Sequence, residues 1–264
     1  MIRGLLLDFY GTVVDEDDEV VASICARAAE SGPGAVTAEQ VGAAWGRAFQ
    51  GAMGASPFRP QREIAVASLV AALSATGCTA DPAVLCEEQF RFWRTAPLRP
   101  GTRAFLDSVD MPVCVVSNID RADLEAVLAY HGLSFAAIVT SEDAGAYKPS
   151  PQIFRRGLAM LGLRAQEVLH VGDSLTADVA GARAAGIAAI WVNRRGRPVP
   201  DGMAATTVIG DLADLAAQVT EVNEAICGAR PAAPPGSAAD EDPSGPGRGK
   251  GGSGRRSRRS SPPR

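Results

Sequence analysis

Short apolar runs and longer stretches of helical spacing alternate along most of this chain. Gly4–Leu7 is an apolar run cut off by Asp8. A long helical region follows: Val20–Glu30, Ala38–Gln50, Arg62–Thr76 and Pro82–Thr95 carry apolar residues at helical spacing. Breaks at Ser31–Gly34, Gly51–Pro60 and Gly77–Asp81 separate them. From Pro100 the texture changes. β-rich runs at Val113–Val116, Ala137–Val139, Val168–Val171, Ala188–Val192 and Thr206–Ile209 are spaced by helical segments. Those segments lie near Arg121–His131, Pro151–Leu161, Thr176–Ala185 and Leu212–Val222. Such alternation predicts βαβ units and an α/β fold with a doubly wound parallel sheet. Its core is expected over 1–14 and 98–227, with an all-helical insertion over 15–97 after the first strand.

Composition changes that picture mainly at one end. Apolar residues make up 46% of the 264 and charged ones 21%, ordinary globular values with room for one good-sized core and a smaller companion. The net charge of −4 is uneven. From Ala229 onward there are eight Arg and Lys against three acids, which leaves the body at −9. An acidic body does not suggest nucleic acid as a substrate. Residues 228–264, rich in Pro, Gly, Ser and Arg, cannot bury enough apolar area to offset their ordering entropy, so a disordered tail is expected. Its Arg255–Arg259 cluster is a candidate contact for an anionic partner, against the plainer reading of a solvated tail. The five cysteines (Cys25, Cys78, Cys86, Cys114 and Cys227) are dispersed and lack metal spacing, as reduced thiols do. No signal peptide is visible, and no stretch approaches the roughly 18 apolar residues of a membrane span. A soluble, cytoplasmic protein is the expectation.

Candidate chemistry collects where strands are expected to end. Asp8 closes the first apolar run, and a carboxylate there is costly unless it has work to do. Parallel α/β sheets bind ligands in the crevice beyond those strand ends. Gly11 permits a sharp turn, and Thr12 offers a hydroxyl to an anion. Ser117 and Asn118 end the second run as small hydrogen-bonding side chains. Lys148 precedes Pro149, which favours an extended backbone, and a helix is expected from Pro151. An ammonium there can reach a phosphate that also feels the helix dipole. Asp173 and Asp178 at the fourth run are hard oxygen donors of the kind Mg²⁺ takes. Each piece alone also has a plain reading: turn closure, loop capping, a surface lysine, or an N-cap with Asp178 solvated.

Taken in order, these pieces resemble the haloacid dehalogenase (HAD) superfamily of hydrolases over residues 3–222. The stretch Gly172–Gly186, G-D-S-x-x-x-D-V-x-G-A-x-x-A-G, carries most of the likeness. The resemblance implies a Rossmann-like core with the helical insertion as a cap of the C1 type. It also implies Asp8 as nucleophile, Thr12, Ser117 and Asn118 as anion binders, and Lys148 as charge neutraliser. Mg²⁺ would be held by the Asp8 carboxylate, the Tyr10 carbonyl and Asp173, with Asp178 in support.

One position departs from that pattern. Most phosphatases of the superfamily carry a second Asp where this chain has Tyr10, and a phenol is a poor general base at neutral pH. The first motif, D-F-Y-G-T, resembles that of L-2-haloacid dehalogenases, which work without metal and have a different fourth motif, S-x-N-x-x-D. Asp173 and Asp178 without a cation would set like charges beside Asp8. A Mg²⁺-dependent hydrolase of small phosphate esters or anhydrides is therefore the favoured expectation. The alternatives are a 2-haloacid dehalogenase-like enzyme and a non-catalytic ligand-binding relative. Dehalogenases hold the substrate carboxylate with a cap arginine; Arg47, two residues after Trp45, is the first candidate here, against a plain surface arginine. His170 reads as a core histidine, and His131 as a helix C-terminal residue.

Overall fold

The computed structural model describes residues 1–199, 201–202 and 207–228, the last five by backbone alone. Strands β1 (Gly4–Leu7), β2 (Val113–Ser117), β3 (Ala137–Thr140), β4 (Val168–Gly172), β5 (Ala188–Val192) and β6 (Thr207–Ile209) form one sheet. Its order is β3-β2-β1-β4-β5-β6, and every neighbouring pair is parallel. Leu5 and Leu7 pack on one face with Val115 and Val171; Leu6 packs on the other with Cys114, Val116 and Trp191. Both faces are covered, which is why the strands read as continuous apolar runs and not as alternating ones. With β2 on one side of β1 and β4 on the other, the winding reverses at β1. The crevice of the sheet therefore opens at Asp8.

Helices α1 (Asp18–Glu30), α2 (Ala38–Met53), α3 (Gln61–Thr76) and α4 (Pro82–Thr95) all lie between β1 and β2. Thr37 and Gln40 form a capping box at α2, and Asp81 with Pro82 starts α4. Their apolar faces, among them Ile24, Leu69 and Trp93, join the same core as Leu5 and Leu7. The rest of the chain supplies α5 (Thr102–Ser108), α6 (Arg121–His131), α7 (Ser141–Ala144), α8 (Pro151–Leu161), α9 (Gly181–Ala184) and α10 (Leu215–Gly228). Two of these, α5 and α7, are too short to show a helical period in the sequence. The single helix expected over Thr176–Ala185 is instead a π-helical turn, Leu175–Ala180, followed by α9. The backbone of α10 runs through Gly228, one residue into the segment expected to be disordered; the remainder of that segment lies outside the described residues.

Helix α3 begins after Pro60 with no side-chain cap of its own. Asp120, just ahead of α6, caps it from across the structure, accepting from Gln61 N at 2.6 Å and Arg62 N at 3.0 Å. Arg62 then forks onto the fully buried Asp123 with two bonds of 2.6 Å, and Arg94 Nε donates to the same carboxylate at 2.8 Å. Bidentate guanidinium–carboxylate pairing is directional as well as strong, so it sets how these helices meet the sheet. Arg62 is thus a docking residue.

Cys25, Cys78, Cys86 and Cys114 are buried free thiols. Burial pushes Cys86 and Cys114 up to about 12, which removes them as thiolate nucleophiles. Among the described residues no helix is long and apolar enough to cross a membrane.

Candidate active site

At the end of β1 the Asp8 carboxylate is buried, and its two oxygens have different partners. Lys148 Nζ donates to Oδ1 at 2.5 Å, and Thr12 Oγ1 donates to Oδ2 at 2.9 Å. Gly11 makes the turn at φ 88°; a Cβ there would lie 2.8 Å from the Asp173 carboxylate. Only glycine lets the first loop pass so close to the fourth.

Lys148 is 4% exposed and bridges two acids, reaching Asp178 Oδ1 at 2.6 Å as well as Asp8. Its backbone is clasped by Asn118, which accepts from Lys148 N at 2.7 Å and donates to Lys148 O at 3.2 Å. The Asn118 side chain therefore positions the lysine, a role its place at a strand end did not reveal. Ser117 is buried as the last residue of β2.

Asp178 comes inward from the π-helical turn, a wider coil often found at functional sites. It is fully buried, not solvated. Its Oδ1 also accepts from His170 Nε2 at 3.0 Å, and its Oδ2 from Ser174 N at 3.0 Å. Ser174, and not Asp173, is the N-cap of that turn. The Asp173 side chain is therefore not spent on that cap and stands against Glu16, while its carbonyl receives Trp191 Nε1 at 2.8 Å and Arg197 at 2.9 Å.

The charges follow from this geometry. Burial alone would lower Lys148, but Asp178 and Asp8 outweigh it and hold the ammonium well above its ordinary value. Burial would raise Asp178; the charges and hydrogen bonds of Lys148 and His170 overcome that and keep it ionised. Burial raises Asp8, opposed by Lys148. Asp173 makes no ion pair among the described residues, although Arg194 and Arg195 are near enough to feel its charge. Burial first, then the charges of Asp8 and Asp178, push it up to about 8.

Asp8, Asp173 and Asp178 each offer an oxygen within 4.8 Å of the others. Lys148 pairs with Asp8 and Asp178 but not with Asp173, and all three donors are hard oxygens. This set fits Mg²⁺.

A profile of haloacid dehalogenase-like hydrolases matches residues 2–186, more than half of the chain. The chain belongs to this family of hydrolases. Over 139 residues the hydrolase is 34% identical to a phosphoserine phosphatase of Thermus thermophilus, covering 50% of this chain and 55% of that protein. Over 121 residues it is 31% identical to the pyrimidine 5′-nucleotidase YjjG of Escherichia coli, covering 44% and 54%. The chain thus spans about half the length of these curated relatives. The fold is also that of the L-2-haloacid dehalogenase from Xanthobacter autotrophicus, with a TM-score of 0.65 at 20% identity over 83% of this chain and 99% of that one.

Two residues stand apart from the cluster in this hydrolase. Tyr10 turns its hydroxyl away and donates to the Trp93 carbonyl at 2.5 Å. Burial, with Asp123 and Asp17 adding to it, raises the phenol well above its ordinary value. It is thus a tie between the first loop and α4. Arg47 is exposed on α2 and does not line the cavity that Trp45 and Gly46 border. What the sequence reading missed was His170 as the partner of Asp178; a lone histidine in an apolar strand gives no signal of that contact.

Gly172 is the tightest point of the site, since a Cβ there would stand 2.3 Å from Asp178 Cγ. Gly172→Ala must displace that carboxylate and, through it, Lys148. Turnover is expected to fall by about 10²-fold, as misplacements near 1 Å do. Steady-state rates beside a melting curve check this, and an unchanged kcat would show that the Asp178 placement is immaterial.

Proposed function

We propose that this hydrolase is a Mg²⁺-dependent phosphohydrolase acting on a small phosphate ester or anhydride through an aspartyl-phosphate on Asp8. The observation that carries the reading is the cluster of three carboxylates, with Asp173 half-buried beside Asp8 and Asp178 and making no ion pair among the described residues. A C–halogen hydrolase of the metal-free kind has no use for that cluster; a site built around a cation does. The sequence relatives named above, a phosphoserine phosphatase and a pyrimidine 5′-nucleotidase, support the same reading. Likeness to the dehalogenase structure at 20% identity speaks for the fold alone.

In this reading Asp8, Asp173 and the Tyr10 carbonyl hold the cation, with Asp178 supporting it. When bound, it supplies charge neutralisation and orients the phosphoryl oxygens. Lys148 draws off further negative charge, Thr12 and Ser117 line the anion's side of the loop, and Asn118 holds the Lys148 backbone in place. An Asp8 oxygen forms the bond to phosphorus while the bond to the leaving oxygen breaks. Water then cleaves the acyl phosphate and regenerates the carboxylate, releasing inorganic phosphate. Because the Tyr10 hydroxyl is committed to Trp93, the leaving oxygen takes its proton from solvent. Substrates with good leaving groups should react best. The helices within 15–97 act as a C1-type cap that closes over the site and excludes water.

The test is hydrolysis of acetyl phosphate and p-nitrophenyl phosphate with Mg²⁺ and with EDTA, beside chloride release from 2-chloropropionate. Phosphate release that EDTA abolishes is expected, with no halide formed. Halide release that is indifferent to EDTA would falsify this reading in favour of a haloacid dehalogenase.

A further inference from the structure

His170 carries the one polar side chain of β4. It stands in register with Leu6 of β1 and Ala189 of β5, both in the apolar layer that α8 covers. The ring is fully buried, and Phe154 of α8 meets it edge to face, with centroids 5.0 Å apart at 90°. Its Nδ1 is buried with no hydrogen-bond partner. An apolar side chain of that size would pack there and strand no polar atom. Packing therefore gives no reason for an imidazole at this place.

What the imidazole adds is its other nitrogen. Nε2 lies 3.0 Å from Asp178 Oδ1, and since the carboxylate accepts, Nε2 donates. The same oxygen takes the Lys148 ammonium at 2.6 Å, and Oδ2 takes Ser174 N. Asp178 itself is carried by the π-helical turn, whereas His170 belongs to a strand paired on both edges. The bond from His170 thus ties a side chain on an irregular coil to the middle of the sheet. Lys148 depends on that tie. A lysine carries its charge on a flexible stem, and the ammonium rests where its acceptors are fixed. Asp8 is one acceptor, at 2.5 Å, but its carboxylate changes partners when it attacks phosphorus. Asp178 does not react, so it is the acceptor that can stay in place through both steps.

We propose that His170 is a positioning residue: by donating to Asp178 it fixes that carboxylate, and through it the Lys148 ammonium, beside Asp8. The inference rests on the phosphohydrolase reading and adds to it a residue that acts only through Asp178.

Two variants and one spectrum test this. His170→Leu removes the donor and the stranded Nδ1 together, whereas His170→Gln keeps an N–H in place of Nε2. With p-nitrophenyl phosphate and saturating Mg²⁺, kcat of His170→Leu is expected to fall by about tenfold to 10²-fold while KM changes little. Its melting temperature should stay within a few degrees of wild type. His170→Gln should recover most of the lost kcat. The chain has two histidines, so each ring is identified by its loss on substitution. In EDTA, the ¹⁵N spectrum of the wild-type rings should show a solvent-protected proton on Nε2 of His170, absent from His170→Leu, with His131 as reference. The proposal is overturned by a His170→Leu kcat equal to wild type or by loss of its fold, which marks a purely structural role. It is equally overturned by a His170→Gln no faster than His170→Leu, or by a wild-type His170 ring with no proton on Nε2. In each of these cases hydrolysis by the wild type leaves the phosphohydrolase reading standing. No phosphate release by the wild type removes that reading, and this inference with it.

Discussion

Asp8→Asn is expected to slow acetyl phosphate hydrolysis by about 10⁴-fold or more, the scale seen when a nucleophile is removed. An amide cannot form the acyl phosphate, so the two-step route is lost and not merely weakened. The fold should tolerate the change. Lys148 keeps Asp178 at 2.6 Å, and burial already disfavours the charge that Asn removes. A melting temperature within a few degrees of wild type is therefore expected, which separates chemistry from stability. Acid-quenched enzyme should carry a phosphoryl group that hydroxylamine releases, and the variant should carry none. Turnover by Asp8→Asn within tenfold of wild type would exclude Asp8 as the nucleophile.

In EDTA, the protein should become less stable as pH rises from about 6 to 8, by roughly 2 kcal/mol. The cause is Asp173. Unfolded, its carboxyl ionises near 4, whereas in the fold burial and the charges of Asp8 and Asp178 push it up to about 8. Between those values the folded state holds a proton that the unfolded state has released. The stability tied to that proton is whole below about pH 4 and is lost as pH climbs towards 8. Mg²⁺ should reverse the trend, because its binding takes the ionised carboxylate and is helped by rising pH. Melting curves at several pH values, with EDTA or Mg²⁺, give the two slopes, and Asp173→Asn should flatten the EDTA curve. The same slope in wild type and Asp173→Asn would show that another group is responsible. Proton uptake from a weakly buffered solution gives an independent reading: about one proton should be released per Mg²⁺ bound near pH 7.

These two effects begin from residues of very different legibility. Asp8, Asp173 and Asp178 stand in the sequence at or near the ends of apolar runs and Lys148 just ahead of an expected helix, and the resemblance to the superfamily is what groups them around one crevice. A parallel sheet buried on both faces needs continuous apolar strands, and these end abruptly at polar residues, so strand ends are visible in the chain. The helices α1–α4 are equally plain from helical spacing and the glycine and proline breaks between them. Tertiary structure alone decided how the charges share their partners. It brought one ammonium against two carboxylates, left Asp173 outside any ion pair among the described residues, tied the Tyr10 hydroxyl to Trp93, and sent the Asn118 side chain to the Lys148 backbone. It also fastened Arg62 to Asp123 across 61 positions of chain, left Arg47 exposed, and gave Gln89 an amide oxygen with no donor. The physical reason is one of range. Strand and helix formation answer to residues a few positions apart, which sequence records directly. Hydrogen bonds and ion pairs between side chains depend on distances of a few ångströms between segments far apart in the chain, and only the packed sheet and helices set those distances.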